Sequence, residues 1–306
     1  MATQTLSATL VRRGLGQIVQ NGFEDIVTLH TEFLNVDTGD GQYIERAFHS
    51  ELGPAQRIGA TGSQGLRDEL PRGTLEVSPV VRKYYSRYGL AFDFVVDEAD
   101  DDLYGVIRRG GGSLGKSLRY AMEVSAHDLL NNGEDGTNYP QGWEATALFK
   151  TGQGLLNSTT TVDNLLTASG PSFAALANIY AYGDAFVDDQ GMPTPIMPVL
   201  ILTGMRNSYL WQQILKSPTQ IGQNNPSVIN PYKPITVLGS QYLSNPFDTY
   251  VFYAGYRNHM HMTMRRAATF RTWDEHDPER VVAGVDARYV VYTTNNLRVV
   301  KIPGAK

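Results

Sequence analysis

The sequence predicts an α+β fold with a mixed α/β second half. The stretch from Tyr43 to Phe94 carries extended patterns around a glycine-rich tip, as a projecting loop of two strands would. A helical pattern with an apolar stripe follows and ends at Gly133. Two further helix patterns then give way to short β patterns between Ile235 and Ile302. The chain is therefore predicted to contain an arm, a loop, a long helix and a mixed half closed by strands.

The charge balance argues against a protein built mainly to wrap nucleic acid. The 306 residues include 26 lysines and arginines against 31 aspartates and glutamates, which gives a net charge of -5. Nucleic-acid affinity comes largely from clustered basic residues that release counterions. Arginine pairs occur at residues 12–13, 108–109 and 265–266, without a long basic tract. We therefore expect at most weak, non-specific contact with DNA.

Several classes of protein are excluded or disfavoured by what the sequence lacks. It contains no cysteine, so disulfides, thiolate metal sites and cysteine catalysis are excluded. The longest apolar run, Ile196–Leu202, is far shorter than the roughly 20 residues that span a bilayer. The first residues lack the apolar core of a signal peptide. These observations favour a soluble cytoplasmic protein without a membrane partner.

Residues 1–32 are predicted to form an N-terminal arm. Apolar residues spaced loosely for a short amphipathic helix occur at Leu6, Leu10, Leu15, Ile18 and Val19. Glycines at positions 14, 16 and 22 interrupt this pattern. Since glycine weakens helices, we expect the order of the arm to depend on a partner surface.

The stretch from Gly110 to Gly133 allows two interpretations. It matches the phosphate-binding pattern GxxxxGK[ST] through Gly110, Gly115, Lys116 and Ser117. It also fits one helix, Ser113–Asn131, with Ser113 as its N-cap. That helix would direct four apolar residues into the core, namely Leu114, Leu118, Met122 and Leu129. The first interpretation predicts a nucleotide-binding enzyme, and the second predicts a long packing helix.

The residues around this stretch favour the helix. A phosphate-binding loop needs a buried β-strand that leads directly into it. Only Val106 and Ile107 are aliphatic there, and two arginines stand where the strand should end. A strand ending in a magnesium-binding aspartate should follow the loop, but the best match, Phe94–Asp97, precedes it, and Phe186–Asp188 is too short. We therefore reject the nucleotide site and keep a nucleotide-binding enzyme only as an alternative function.

No other motif predicts catalysis or a cofactor. His259 and His261 share one face of a strand-like run, as chelation requires, but no third ligand is evident. A polar strand face beside a methionine-lined core explains them better. The acidic run Asp97–Asp102 predicts a solvated turn rather than a metal site. No nucleophile motif accompanies the remaining histidines, His30, His49, His127 and His276. The sequence therefore predicts no enzyme, no metal site and no cofactor.

The second half predicts two helices and a series of strands. Pro171–Tyr180 has proline in its first turn, and a later helix is capped by Asn207. The apolar run Pro198–Thr203 predicts a buried strand between them. Ser217–Pro234 is rich in Asn, Gln, Gly and Pro, which predicts an exposed loop. Later strands are expected at 235–238, 249–254, 260–266, 280–285, 289–293 and 297–302, with a charged turn at Trp273–Pro278.

This order of parts resembles the major capsid proteins of tailed bacteriophages, which have the Hong Kong 97 type of coat-protein fold. Leu103–Ile107 and the helix that ends at Gly133 look like that family's spine helix. Asp189–Pro193, the strand after it and the helix Asn207–Ser217 are similar to a second passage of the family. Val281–Val290 is similar to its closing strands. The resemblance covers essentially the whole chain.

The resemblance implies a Hong Kong 97-like arrangement of parts. They would be the N-arm 1–32, the extended loop and its base 33–95, the peripheral domain with the spine helix 96–144, the axial domain 145–262, and peripheral and closing strands 263–306. Tyr43–Tyr88 would be the extended loop itself, a long β-hairpin that lies over a neighbouring subunit. Ser217–Pro234 would be an axial loop.

The function implied by the resemblance is that of a major capsid protein. Copies would self-assemble, as hexamers and pentamers, into the icosahedral head shell of a tailed bacteriophage around double-stranded DNA. The protein would be made in the cytoplasm of a bacterial host and would end in the virion capsid. Its partners could include portal, separate scaffolding and decoration proteins. An encapsulin-like compartment shell, which packages an enzyme instead of a genome, is the alternative within the fold.

Charged residues of the arm and loop are the candidates for contacts between subunits: Arg12, Arg13, Arg46, Glu51, Arg57, Arg67, Asp68, Glu69 and Arg72. Some members of the family cross-link through a lysine of the extended loop, but this loop has none before Lys83. We therefore expect non-covalent assembly. Other members begin with a long segment that is cleaved, whereas only residues 1–32 precede the loop and its base here. We therefore expect no cleavage.

Overall fold

The computed structural model divides the chain into two units. It describes residues 14–49, 77, 80–95, 105–142, 144–156, 158–188, 191–217, 235–276 and 279–304. The first unit comprises Met1–Ile44, Arg82–Leu129 and Met260–Tyr292. The second comprises Glu45–Val81, Leu130–His259 and Thr293–Lys306. Each unit combines helices with one four-stranded sheet, so the predicted α+β class is confirmed.

The described elements are numbered in chain order. The helices are α1 (residues 14–24), α2 (His30–Phe33), α3 (Val106–Asn131), α4 (Phe173–Asp184) and α5 (Met205–Lys216). The strands are β1 (Asn35–Thr38), β2 (Tyr43–Arg46), β3 (Val81–Tyr84), β4 (Ser86–Val95), β5 (Gln153–Leu155), β6 (Ser158–Val162), β7 (Pro198–Gly204), β8 (Thr236–Ser240), β9 (Thr249–Tyr253), β10 (Met260–His276), β11 (Glu279–Thr293) and β12 (Val299–Ile302).

The sheet of the first unit has the order β1-β10-β11-β4. Strand β1 runs parallel to β10, and β4 runs antiparallel to β11. Helix α3 packs on this sheet, where the Tyr289 hydroxyl donates to the Ala121 carbonyl (3.1 Å) and lies 3.0 Å from Ser125 Oγ. The predicted apolar stripe of α3 is confirmed, because four residues are nearly inaccessible to solvent: Leu114 (2%), Leu118 (3%), Met122 (1%) and Leu129 (4%).

The sheet of the second unit has the order β12-β9-β7-β8 and mixes both strand directions. Strand β7 pairs parallel with β8 and antiparallel with β9. Strands β9 and β12 are buried at every residue, as expected for strands covered on both faces. The core of the unit contains Leu176 and Ile179 of α4, Trp211 of α5, and Ile201 and Val251 of the sheet.

Three predicted boundaries are wrong. Helix α3 begins at Val106, so Ser113 is an exposed residue inside it and not its N-cap. Helix α5 begins at Met205, directly after β7, and Asn207 uses its side-chain amide to donate to the Phe247 carbonyl (3.0 Å) instead of capping. Helix α4 begins after Pro171, with the Ser172 hydroxyl accepting from the Ala175 N–H (3.1 Å).

The last strands of the first unit are longer than the sequence predicted. Two short strands were expected at 280–285 and 289–293, separated by polar residues, but β11 continues through them. Asp286 stays in the strand because arginine and threonine side chains bind its carboxylate. Strand β10 likewise continues past the expected end at residue 266 to His276. Trp273 therefore lies in a strand and not in the predicted charged turn.

A buried lysine connects the carboxy-terminal strand of the second unit to two carboxylates. Lys301 Nζ in β12 lies 2.8 Å from Asp248 Oδ2 and 2.6 Å from Glu134 Oε1. Both Lys301 and Asp248 are buried. The other Asp248 oxygen accepts from Asn245 Nδ2 (2.6 Å) and from the Gly304 N–H (2.9 Å). The lysine charge is thus compensated where water is excluded, which a buried charge requires.

We predict that Lys301→Met lowers the free energy of unfolding by about 3 kcal/mol, because it leaves the Asp248 carboxylate buried without its counter-charge. Urea unfolding of unassembled subunits measures the change. Lys150→Met is the matched control: Lys150 pairs with Glu144 at 3.0 Å in a more exposed position, so it should cost less than about 1 kcal/mol. Equal losses in the two variants would contradict the prediction.

Candidate functional site

The residues that match the phosphate-binding pattern lie inside a helix. Gly110, Gly115, Lys116 and Ser117 all fall within α3. A phosphate-binding loop presents unpaired backbone N–H groups to its ligand, whereas those inside a helix bond to carbonyls four residues earlier. Lys116 places its ammonium group 3.2 Å from the Asp25 carboxylate. These four residues therefore form no phosphate cradle.

Glycines of α1 and α3 instead form a close contact between the two helices, which we call the glycine seam (Gly22, Gly111 and Gly115). A Cβ atom on Gly115 would overlap the Val19 carbonyl oxygen, and one on Gly22 would overlap the backbone of Gly112. A Cβ on Gly111 would lie 2.8 Å from Leu15 Cδ1. Only glycine lets two helix backbones approach this closely. The seam explains why α3 continues through GGGSLG instead of beginning after it.

The described part of the N-terminal arm is ordered by its own chain. Helix α1 continues through the glycines at 16 and 22, and it buries Leu15 and Val19. The Arg119 guanidinium of α3 lies 4.0 Å from the centre of the Phe23 ring. Packing against α3 of the same chain offsets the poor helix propensity of glycine in these residues. Arg12 and Arg13 lie outside the described residues.

A buried carboxylate in α3 holds the segment that follows α1. Glu123 accepts the backbone N–H groups of Leu29 (3.0 Å) and His30 (3.1 Å), and His30 Nδ1 lies 2.7 Å from its Oε1. Glu123 and His30 are both buried. These bonds replace the hydration that the carboxylate loses on burial. His30 is therefore engaged in holding α2 in place.

One turn farther along α3, a second histidine is buried. His127 donates from Nδ1 to the Glu123 carbonyl oxygen at 2.7 Å, and its ring meets the Phe33 ring edge-on. Burial lowers the pKa of His127, an effect opposed by the hydrogen bond and the charge of Glu123 and reinforced by His30. The histidine is thus held neutral within the core of the first unit.

The two histidines considered for chelation do not share a strand face. Strand β10 begins at Met260, and His259 ends the single 3-10 turn before it. His261 Nδ1 lies 3.0 Å from Asp37 Oδ2, and its ring stacks on Tyr292. Among the described residues, no group of three or more histidine, cysteine or acidic side chains is placed to hold a metal ion. These contacts assign His261 to a hydrogen bond with Asp37 and a ring contact with Tyr292.

The base of the expected extended loop is described, and its tip is not. Strands β2 and β3 pair, and a bridge joins His49 to Val77. The Tyr43 ring contacts the Tyr84 ring, and the Arg82 guanidinium lies 4.5 Å from the centre of the Tyr43 ring. Arg46 is exposed at the end of β2. The other contact candidates of the loop lie outside the described residues: Glu51, Arg57, Arg67, Asp68, Glu69 and Arg72.

Two further sequence features also fall outside the described residues. They are the acidic run Asp97–Asp102 and nearly all of the expected axial loop, residues 218–234. No helix in the described part of the chain has both the length and the apolar character needed to cross a membrane. What the described residues present is therefore a set of packing contacts and exposed charged surfaces.

We predict that Gly115→Ala destabilises the subunit by about 1–3 kcal/mol, because the new methyl group overlaps backbone that no side-chain movement can relieve. Gly112→Ala is the matched control, since a Cβ there meets no atom within 4 Å. That change should stabilise the helix by about 0.5–1 kcal/mol, because alanine favours helices over glycine. Thermal unfolding of both variants measures the difference, and a Gly115→Ala variant as stable as the wild type would disprove the seam.

The lowered pKa of His127 predicts acid sensitivity. Below its ordinary value of 6.5 the unfolded chain takes up a proton that the folded chain does not. The free energy of unfolding should therefore fall as the pH drops from 6.5 toward the lowered pKa. Urea unfolding at several pH values between 7 and 5 gives the free energy of unfolding as a function of pH. The slope of that plot should be shallower for His127→Leu than for the wild type. The exposed-histidine control His49→Gln should keep the wild-type slope, and three equal slopes would refute the assignment.

Comparison with known proteins identifies the fold. No protein-family model matches the sequence, and no curated protein matches it. Among solved structures, the capsid of the cyanophage P-SCSP1u aligns with a TM-score of 0.59 and 9% identity, covering 92% of this chain and 89% of that one. The mature capsid of bacteriophage PhiM1 aligns with a TM-score of 0.59 and 8% identity, covering 92% and 88%.

A third match is a virus-like particle. The virus-like particle from Pyrococcus furiosus aligns with a TM-score of 0.53 and 12% identity, covering 95% of this chain and 99% of that one. The alignments therefore extend over nearly the full length of every chain compared. Together with the arm, the loop base, the long helix and the two mixed units, they show that the chain has the Hong Kong 97 type of coat-protein fold.

Proposed function

We propose that this chain is the major capsid protein of a tailed bacteriophage. Its copies would self-assemble, as hexamers and pentamers, into an icosahedral shell that encloses double-stranded DNA. The observation that carries the proposal is the near-complete overlap with two phage capsid chains, 92% of this chain in each case. The fold held in common thus extends over most of the sequence.

The expected division of the chain follows from this proposal. Residues 1–32 are the N-arm, 33–95 the extended loop and its base, 96–144 the peripheral domain with the spine helix, 145–262 the axial domain, and 263–306 the returning strands. Helix α3 is then the spine helix. The loop projects from the β2–β3 base to lie over a neighbouring subunit.

Assembly in this proposal rests on many weak contacts. Each subunit touches several neighbours, so individually weak interfaces add up to a stable shell. The contacts are non-covalent, since the loop offers no lysine before Lys83. Charged residues of the arm and loop form ion pairs at the rims of the interfaces between subunits. Arg46, which is exposed beside the loop base, is one of them. The further partners are portal, separate scaffolding and decoration proteins, and the packaged DNA makes only weak contacts.

The proposal assigns the chain no catalytic role. Glu123, His30, His127 and His261 are held in bonds that stabilise the fold. Of the residues that could have served a nucleotide, Lys116 pairs with Asp25 on the surface of α3.

A shell without a genome is the second candidate. The virus-like particle from Pyrococcus furiosus overlaps with this chain at least as completely as the phage capsids do, at 95% of this chain and 99% of that one. The contents of the particle therefore decide between a phage head and an encapsulin-like protein compartment.

The experiment is electron microscopy of particles purified from the source that encodes the chain, with nuclease treatment before the particles are opened. We expect closed particles of uniform size that release nuclease-protected double-stranded DNA. Particles that release protein cargo and no DNA would favour the compartment. A chain that stays a monodisperse monomer across the salt and concentration range in which shells form would contradict both candidates.

A further inference from the structure

Three arginines of the first unit converge on a single buried aspartate. Asp286 Oδ2 accepts from Arg266 Nη1 at 2.9 Å and lies 3.3 Å from Arg87 Nη2, while Arg271 Nε lies 3.8 Å from Oδ1. The Thr269 hydroxyl donates to the same Oδ1 at 2.6 Å. These residues come from three adjacent strands, β4, β10 and β11. The sheet therefore brings together a charge cluster that no local sequence motif contains.

The cluster carries more positive charge than its aspartate can neutralise. Three guanidinium groups against one carboxylate leave 3 - 1 = +2. The exposed fraction of the side chain is 67% for Arg87, 45% for Arg266 and 56% for Arg271. That of Asp286 is 9%. Among the described residues, Asp286 is the carboxylate that all three guanidinium groups contact. The cations thus stand at the surface around a buried anion, and their outer N–H groups face solvent.

A groove lies beside the cluster. The groove has a volume of about 520 Å³, compared with about 640 Å³ for a cleft beside α1. Arg87, Arg271, Gly89 and Gly284 line the groove. Gly284 lies under the Trp273 ring, since a Cβ there would come within 2.7 Å of Trp273 Cζ3. Trp273 and Leu90 are exposed large apolar residues on its sides. Aromatic and arginine walls suit a peptide that carries carboxylate side chains.

We infer that this groove, which we call the arginine groove, binds the acidic run Asp97–Asp102 of a second copy of this chain. The inference rests on the proposed function, because it makes the groove an interface between shell subunits. The whole chain has a net charge of -5, so the residues outside the cluster carry -5 - 2 = -7. The acidic run contributes five carboxylates within six residues, DEADDD. Arginine binds carboxylates through paired N–H donors, which fixes position as well as charge.

Charge complementarity favours a protein partner over nucleic acid here. Phosphate backbones are held by extended runs of basic residues, whereas this cluster offers three arginines at one point of the sheet. The apolar sides of Trp273 and Leu90 also match a peptide interface better than a phosphate track. Nucleic acid is therefore an outcome for the experiment to exclude.

The experiment measures the subunit concentration at which particles form, by light scattering and sedimentation. Arg87→Gln with Arg271→Gln should raise that concentration about tenfold or more, since interfacial charge pairs contribute strongly when desolvated. Asp286 keeps Arg266 and Thr269 in this variant, so the subunit should unfold at the wild-type temperature. Arg280→Gln is the matched control, because Arg280 is a partly exposed arginine of the same sheet that pairs with Asp93. It should assemble like the wild type.

A charge exchange identifies the occupant. Arg87→Glu with Arg271→Glu should abolish assembly, and adding Asp100→Arg with Asp101→Arg in the same chain should restore it. Assembly of the Gln variant at the wild-type concentration would overturn the inference, as would failure of the exchange to restore particles. Normal particles that have lost only their nucleic acid would overturn it in favour of a nucleic-acid groove. If the wild type itself forms no particles, the proposed function is contradicted. If the wild type forms particles and the variants assemble normally, only the inference about the groove is contradicted.

Discussion

The first unit depends on how closely two helix backbones can approach. At the glycine seam, α1 and α3 lie so near each other that a single methyl group would overlap main-chain atoms. This contact sets the depth at which Leu15 and Val19 enter the core, and both are almost fully buried. It also determines where the chain leaves α1, and hence where Leu29 and His30 meet Glu123. The close approach at the glycines of the seam thus precedes, along the chain, the hydrogen bonds that hold the next segment.

Buried charge in both units is matched by dedicated partners. Glu123 in the first unit receives three N–H donors, and Lys301 in the second lies between two carboxylates. Each group connects segments that are far apart in sequence, so each bond closes a long loop of chain. Such groups add less net stability than apolar residues of equal volume, but losing one partner is costly. They therefore favour one arrangement of the segments over alternatives.

The sequence predicted the elements well and their ends less well. Apolar periodicity placed the stripe of α3 correctly because Leu114, Leu118 and Met122 repeat at helical spacing. The start of α3 was missed because glycine is normally found where a helix begins or ends. The glycines of GGGSLG stabilise the helix only through their close packing against α1. The break expected near Asp286 failed for a related reason, since its partners Arg87 and Thr269 lie on other strands. Contacts between distant segments overrode local preference in both cases, and the same limit hid the arginine groove.

The position of Asp286 also bears on how the sheet finds its register. Strands β10 and β11 are long, and each slip by two residues would keep the same side chains facing the core. Such a slip would move the carboxylate by roughly 7 Å along the strand, out of reach of the Thr269 hydroxyl and the Arg266 guanidinium. The slipped sheet would bury a charge without donors, a state several kcal/mol less stable. One buried carboxylate in this strand thus fixes the register, because it selects a single pairing among several that hydrophobic burial alone would accept.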